Sequence, residues 1–370
     1  MVLRSQKQPF VSTGEWGQLV LLFFPLLLVA FSNCFFAFIE KLFLARYSLE
    51  AMQASLNATY VCQIFQVTSI TLVMMAQVFV GHWYGAKKWK SIGPGMWQFI
   101  WLSFITTLIT LPVGIIYGQW YFRGTGIESI VLPYYYSLIA INFLFPLGAT
   151  LSYFYLGQGK SRFVLYSMLG SQALKVLLAY LLIFGCAGFP AWGIMGGVAS
   201  TLIAQGGVCI CLWLAFLHKR NAELFCSRDW RLRPKLFWEC LHPGLLRVVN
   251  RILCALCWAF IARLMTARGG DDLLILSIGG TLFLFLPFLG EAICQTHTTI
   301  ISNILGAESY QLLNKAFRSG FLLVLVTTFL CGIPLLFFPV PIFQFLFPKA
   351  TLSESVINKV FLGVWVSFVF

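Results

Sequence analysis

The chain has 370 residues, 59% of them hydrophobic, 17% aromatic and only 10% charged, with a mean hydropathy of +0.86. That much apolar surface exceeds what a soluble core can hide, so a water-soluble domain is excluded and lipid is the expected solvent. A net charge of +13 would suit a nucleic-acid binder, but the cations sit in short loops between apolar stretches, which assigns them to the membrane surface and excludes nucleic acid as a partner.

Taken in chain order, apolar stretches long enough to cross about 30 Å of hydrocarbon run at about 18–45, 54–81, 92–116, 130–156, 163–184, 192–217, 241–266, 273–303 and 319–347, and a tenth starts near Val356. Each is expected to be helical, because unpaired backbone polar groups are too costly in lipid. The first stretch follows Arg4 and Lys7. It is too long for the apolar core of a signal peptide and more spans follow it, so it reads as a retained helix. The fold class expected is an all-α polytopic membrane protein.

The chain also repeats itself. Ala37-Phe38-Ile39-Glu40-Lys41-Leu42 returns as Ala259-Phe260-Ile261-Ala262-Arg263-Leu264 at an offset of 222, and Gly85-Ala86 returns as Gly306-Ala307 at an offset of 221. Duplicated halves predict two pseudo-symmetric lobes meeting near the bilayer midplane, an arrangement suited to rocking between two faces. The divisions expected are a six-helix lobe over 1–217, a cytoplasmic linker over 218–239 rich in Arg and Lys, and a second lobe of about four helices over 240–370. On the repeat length the second copy would run to about residue 437, so the second lobe is expected to be incomplete.

Placing the N-terminus in the cytoplasm puts 15 of the 25 basic residues on the inner side and 7 outside or near the outer ends. This asymmetry predicts a multi-pass protein of the inner (plasma) membrane. The remaining three, Lys175, Arg247 and Arg251, fall inside spans. Cys254 and Cys257 form a CxxC without a partner pair at metal-site spacing, so core packing is expected and no metal.

Charges in hydrocarbon are the natural functional candidates, since each costs roughly 2.5 to 3.5 kcal/mol at a helix centre. Glu40, Lys175, Arg247, Arg251 and Glu291 qualify, and they must pair or face water. Glu40 reads either as an interfacial partner of Lys41 or as an inward carboxylate that binds and releases a proton or cation. Lys175 reads either as the salt-bridge partner of Glu40 or as a substrate contact; both place it inside the bundle. Arg247 and Arg251 share a helical face. Glu291, Gln295, Thr298 or Thr299, and Ser302 recur at helical spacing, with His297 beside them, and this stripe should line the lobe interior or a cavity. Asn57-Ala58-Thr59 matches a glycosylation sequon.

Several segments resemble one known family: Pro25 followed by Phe38-Ile39-Glu40-Lys41-Leu42, then Leu156-Gly157-Gln158-Gly159-Lys160-Ser161-Arg162, Tyr180 to Gly185 and Gly193 to Thr201. In this order and spacing they are similar to the multidrug and toxin extrusion (MATE) family of the multidrug/oligosaccharidyl-lipid/polysaccharide exporter (MOP) superfamily. The resemblance implies cation-driven antiport of amphiphilic compounds by rocking of two six-helix lobes. It places Glu40 at the family's first-helix aspartate and Thr201 at a sixth-helix threonine near it. Lys175 stands where asparagine is usual, Ala179 where aspartate or asparagine is common, and Arg251 where many members have a seventh-helix glutamate.

The resulting expectation is a secondary active exporter of amphiphilic small molecules, coupled to H⁺ or Na⁺, not an enzyme, without a cofactor, embedded in the bilayer as a monomer. The alternatives are a lipid-linked or polysaccharide flippase of the same superfamily, or an inactive truncated remnant. A membrane-embedded transferase would need a catalytic His or carboxylate pair at the boundary and a large polar loop, and the chain offers neither. With Lys175, Arg247 and Arg251 against Glu40 and Glu291, the intramembrane charge is expected to be +1.

Overall fold

The computed structural model describes residues 13–123, 128–186, 188–268, 287–338, 340–341, 357–358 and 361–362. Among them every regular element is a helix. Seven are long and apolar enough to cross a membrane by length and composition: Trp16–Tyr47, Leu49–Gly85, Trp89–Phe122, Glu128–Gly157, Ser161–Phe184, Ile194–Leu217 and Tyr310–Leu330.

The first six coincide with the six N-terminal apolar stretches, and two of them are broken. Leu49–Gly85 consists of α2 (Leu49–Val73) and α3 (Met75–Gly85), after α1 (Trp16–Tyr47). Past α4 (Trp89–Phe122), the span Glu128–Gly157 divides into α5 (Glu128–Ile141) and α6 (Leu144–Gly157). Pro146 explains the second break: it has no N–H for the preceding turn, so the helical ladder is interrupted at Asn142 and Phe143. Then come α7 (Ser161–Phe184), closed by left-handed Gly185, α8 (Ile194–Leu217), and the short α9 (Lys219–Phe225) within the polar linker. The 35-residue α10 (Pro234–Arg268) is longer than the 241–266 stretch that predicts it. Of the expected 273–303 span, the described part is α11 (Pro287–Gly306), and α12 (Leu313–Phe337) follows a single 3₁₀ turn.

The large core is aromatic and aliphatic, built where α3, α4, α6 and α8 meet; Phe99, Leu151, Phe154, Leu212 and Phe216 have no exposed surface. Outward faces are apolar too, as lipid requires: Leu108 is 75% exposed and Trp120 72%. Cys254 and Cys257 belong to this outward set, not to the core where the sequence pattern puts them. Asn57 is exposed but lies inside α2, with its amide donating to the Gln53 carbonyl. The sequon therefore occupies a helix and not a surface loop.

The duplication becomes physical where α3 crosses α11. Gly85 faces Asn303, and a Cβ added there would run into the Asn303 carbonyl oxygen; Gly306 faces His82, and a Cβ added there would run into the His82 carbonyl oxygen. Adding 221 to 85 and 82 gives 306 and 303. The two contacts are therefore the same contact exchanged between copies, the signature of a pseudo-two-fold axis through the crossing. Only glycine permits so close an approach. Polar groups fill the rest of the crossing. Buried Gln77 donates to the Gln295 carbonyl (2.7 Å) and to Thr299 Oγ1 (2.8 Å), and Asn303 donates to the Gly157 carbonyl (3.0 Å).

Tertiary contacts collect one set of helix ends at one face of the bundle. Ser319 bonds the Gly14 carbonyl, Gly93 lies against the backbone of Phe225 and Cys226, and Gly85 lies against Asn303. The Tyr47 end of α1 meets Gly193 at the opposite face. Lys87, Lys88, Lys90, Lys160, Lys219, Arg220, Arg228, Arg231, Arg233 and Lys235 all belong to the first face.

Candidate substrate and ion pathway

Helix α1 packs beside α7, and this contact carries the buried charge. Glu40 is 6% exposed, the only buried charged side chain among the described residues. Its Oε2 lies 2.6 Å from Lys175 Nζ. The pair is what the cost of a lone charge in hydrocarbon demands. One turn earlier on α7 and two turns earlier on α1, Gln172 donates to Asn33 Oδ1 (2.7 Å), a second polar link between the same helices. Gly197 of α8 faces Oε1 of Glu40, and a Cβ there would stand 3.1 Å from it. Thr201 shares that stretch of α8, but its hydroxyl donates to the Gly197 carbonyl (2.9 Å) and not to Glu40.

Lys41 is not the ion-pair partner of Glu40. One residue further along α1 turns the side chain by about 100°, which aims it at α2, where Nζ donates to Ser55 Oγ (2.8 Å) and Thr59 Oγ1 (3.3 Å). Tyr134 of α5 is buried against the same two hydroxyls. Sequence reasoning missed this group. The signal available was the Ser55/Thr59 pair four apart on one helical face, without any indication of which helix it meets.

The second group lies between α6, α10 and α11. Arg247 is half-buried, with Nη2 3.7 Å from Cys294 Sγ. Buried Tyr153 faces both Arg247 and Glu291. Glu291 is exposed and accepts a hydrogen bond from Gln295 Nε2 (2.7 Å), whose main-chain carbonyl is the acceptor of Gln77 at the crossing. Arg251, one turn beyond Arg247, is exposed and makes no ion pair among the described residues. His297 points away from the others. Its ring fills the space in front of Gly320 on α12, and its Nε2 has no hydrogen-bond partner among the described residues.

The sequence-derived residues thus form two separate sets, Glu40–Lys175 with Thr201 nearby and Arg247–Glu291–Gln295, with Arg251 and His297 outside both. No cluster of His, Cys, Asp and Glu that could hold a metal occurs among the described residues.

Buried charge inside a duplicated helical bundle is the arrangement on which comparison with known proteins bears directly. The MatE family model matches residues 25–181, which includes Glu40 and Lys175. Over this stretch the chain is similar to the MATE family. Among its relatives is "Probable multidrug resistance protein NorM" of Thermotoga maritima, 24% identical over 320 residues, covering 84% of this chain and 67% of that protein. The matches to further curated relatives span between 30% and 54% of their lengths. Two solved structures share the fold. One is an outward-facing MATE multidrug resistance transporter (TM-score 0.79, 14% identity, 96% of this chain and 79% of that one). The other is a MOP superfamily transporter from Pyrococcus furiosus whose binding pocket of reverse polarity suggests a different function (TM-score 0.79, 14% identity, 97% of this chain and 80% of that one).

Proposed function

We propose that this protein is a MATE-type secondary active exporter that moves anionic or zwitterionic amphiphiles across the plasma membrane by alternating access, acting as a monomer with its N-terminus in the cytoplasm. One observation carries the reading: the buried carboxylate Glu40 is occupied by Lys175 at 2.6 Å and flanked by inward-turned Lys41. A carboxylate so engaged has no charge left for an organic cation. Counting Lys41 with Lys175, Arg247 and Arg251 sets four cations against Glu40 and Glu291, an excess of +2 inside the spans. Low dielectric magnifies each uncompensated charge, so the interior repels cations and accepts anions. The reverse polarity attributed to the Pyrococcus furiosus pocket is a precedent within the same fold.

The same pair supports H⁺ over Na⁺ as coupling ion. A proton arriving on Glu40 cancels its charge and releases Lys175, whereas Na⁺ would have to displace an ammonium already in contact. Expelling an anion from a negative interior is itself favoured by about 2.3 kcal/mol per charge per 100 mV, so less coupling is required.

Proteoliposomes of the purified protein test this with a carboxylated fluorescent dye and with ethidium, each under an imposed pH or Na⁺ gradient. The expected result is movement of the anionic dye, responsive to pH and lost in Glu40→Gln. Tight binding of ethidium that Arg251→Glu does not improve would overturn the charge argument.

A further inference from the structure

The polar linker does more than connect the lobes. Residues 226–233 run along the N-terminal half of α4 and are fastened there by side chains of α4. Trp97 Nε1 donates to the Ser227 carbonyl (2.8 Å), Gln98 Nε2 to the Arg231 carbonyl (3.0 Å) and Trp101 Nε1 to the Trp230 carbonyl (3.0 Å); Arg233 N–H returns a bond to Gln98 Oε1 (3.1 Å). The strap held in this way forms one wall of an open cavity of about 590 Å³ between α3, α4 and the start of α10.

The cavity walls are sorted by chemistry. Arg233 and Asp229 neutralise each other at 2.6 Å. Lys90 of α4 and Lys235 of α10 remain, opposed by Glu239, and none of the three has an ion pair among the described residues. The balance of free charge is therefore +1, with Trp83 and Leu236 supplying an apolar wall. Next in sequence to lining residues Asp229 and Glu239, Trp230 is 62% exposed and Trp238 66%. Tryptophan and lysine together at the end of a membrane bundle mark headgroup depth.

We propose that this cavity is a binding site for the phosphodiester of a membrane phospholipid, with Lys90 and Lys235 on the phosphate and Trp83 and Leu236 against the glycerol and upper acyl carbons. One phosphodiester matches the free charge of +1, and the apolar wall distinguishes a lipid from soluble phosphate. Lys90 lies on α4 of the first lobe and Lys235 at the start of α10, which leads into the second, so a bound headgroup ties α4 to α10 beside the strap.

Native mass spectrometry of the purified full chain, titrated with phosphatidylglycerol and separately with glycerol 3-phosphate, tests the site. The expected result is one tightly held phosphatidylglycerol, weakened about tenfold or more in Lys90→Gln/Lys235→Gln. Ser91→Trp, which fills the cavity without altering its charge, should weaken it similarly. Lys219→Gln/Arg228→Gln, exposed at the same end but outside the cavity, should leave it unchanged. Equal losses in that control pair, or unchanged binding in both cavity variants, overturn the proposal. Glycerol 3-phosphate bound as tightly as the lipid would reassign the cavity to a soluble phosphate compound and overturn the lipid assignment.

Discussion

Removing one member of the Glu40–Lys175 pair should cost more than removing both. The pair is shielded from solvent, with the Glu40 side chain 7% exposed and that of Lys175 18%. Lys175→Met leaves a carboxylate in a low-dielectric bundle, and breaking a buried pair costs about 3 to 5 kcal/mol. Lys41 lies next in sequence, yet its ammonium is held by Ser55 and Thr59 on the α2 side, so it offsets only part of the loss. The lower end, about 3 kcal/mol, is the expected value. At about 2 °C per kcal/mol for a large domain, melting in detergent should fall by roughly 6 °C. Glu40→Gln should cost at least as much, because it leaves two ammonium groups without a counter-charge. The double variant Glu40→Gln/Lys175→Met removes both desolvated charges and should melt within about 2 °C of the parent, at the neutral end for replaced buried pairs. Thermal unfolding of the four proteins completes a double-mutant cycle. If the losses of the two single variants simply add in the double, the pair has no coupling and the account of the site is wrong.

Three further outcomes are expected. In a background without native cysteines, probes at positions 88 and 228 should resist membrane-impermeant reagents in intact cells and react in inside-out vesicles, and external labelling there would reverse the proposed orientation. Gly85→Ala and Gly306→Ala each force a Cβ into a backbone carbonyl across the α3–α11 crossing; overpacking of this kind costs about 1 to 3 kcal/mol, and the two melting losses should agree closely because the contacts are exchanged copies of one another. Lys160, in the turn before α7, is pushed down from 10.5 to about 8 by burial and then by Arg220. The folded protein therefore binds fewer protons than the unfolded chain between pH 8 and 10.5, so stability should rise with pH across that window; Lys160→Met should raise melting at pH 7 and flatten the rise, which a pH series of thermal shifts would show.

The first lobe is legible in the sequence because lipid imposes one rule on every span: about twenty apolar residues and a helical backbone. The positions of α1, α4, α7 and α8 follow from that rule, and the repeat at 221–222 anticipates the crossing where Gly85 and Gly306 exchange roles. What is not legible is orientation around a helix axis when all faces are apolar. Cys254 and Cys257 read as core and are exposed; Lys41 reads as a partner of Glu40 and bonds Ser55 and Thr59 of α2; Arg247 and Arg251 share a face, yet one is half-buried and the other exposed. Periodicity separates a wet face from a dry one, and in a bilayer both faces are dry. Glu40 and Lys175 escape this limit because two opposite charges in hydrocarbon have few places to go other than to each other.

Lys41 also changes the electrostatic symmetry of the molecule. Without it the first lobe carries a neutral pair and the second, with Arg247, Arg251 and Glu291, carries the whole excess. With Lys41 turned inward, Lys41, Lys175 and Glu40 sum to +1 in the first lobe, as Arg247, Arg251 and Glu291 do in the second. By the repeat Glu40 corresponds to Ala262, so the carboxylate is not duplicated, whereas Lys41 corresponds to Arg263, a basic residue in both copies. A singly charged anion passing between such lobes, on the transport reading above, leaves one region of positive charge for another of the same magnitude. Neither lobe then retains it by charge alone, which is the condition for release as well as for binding.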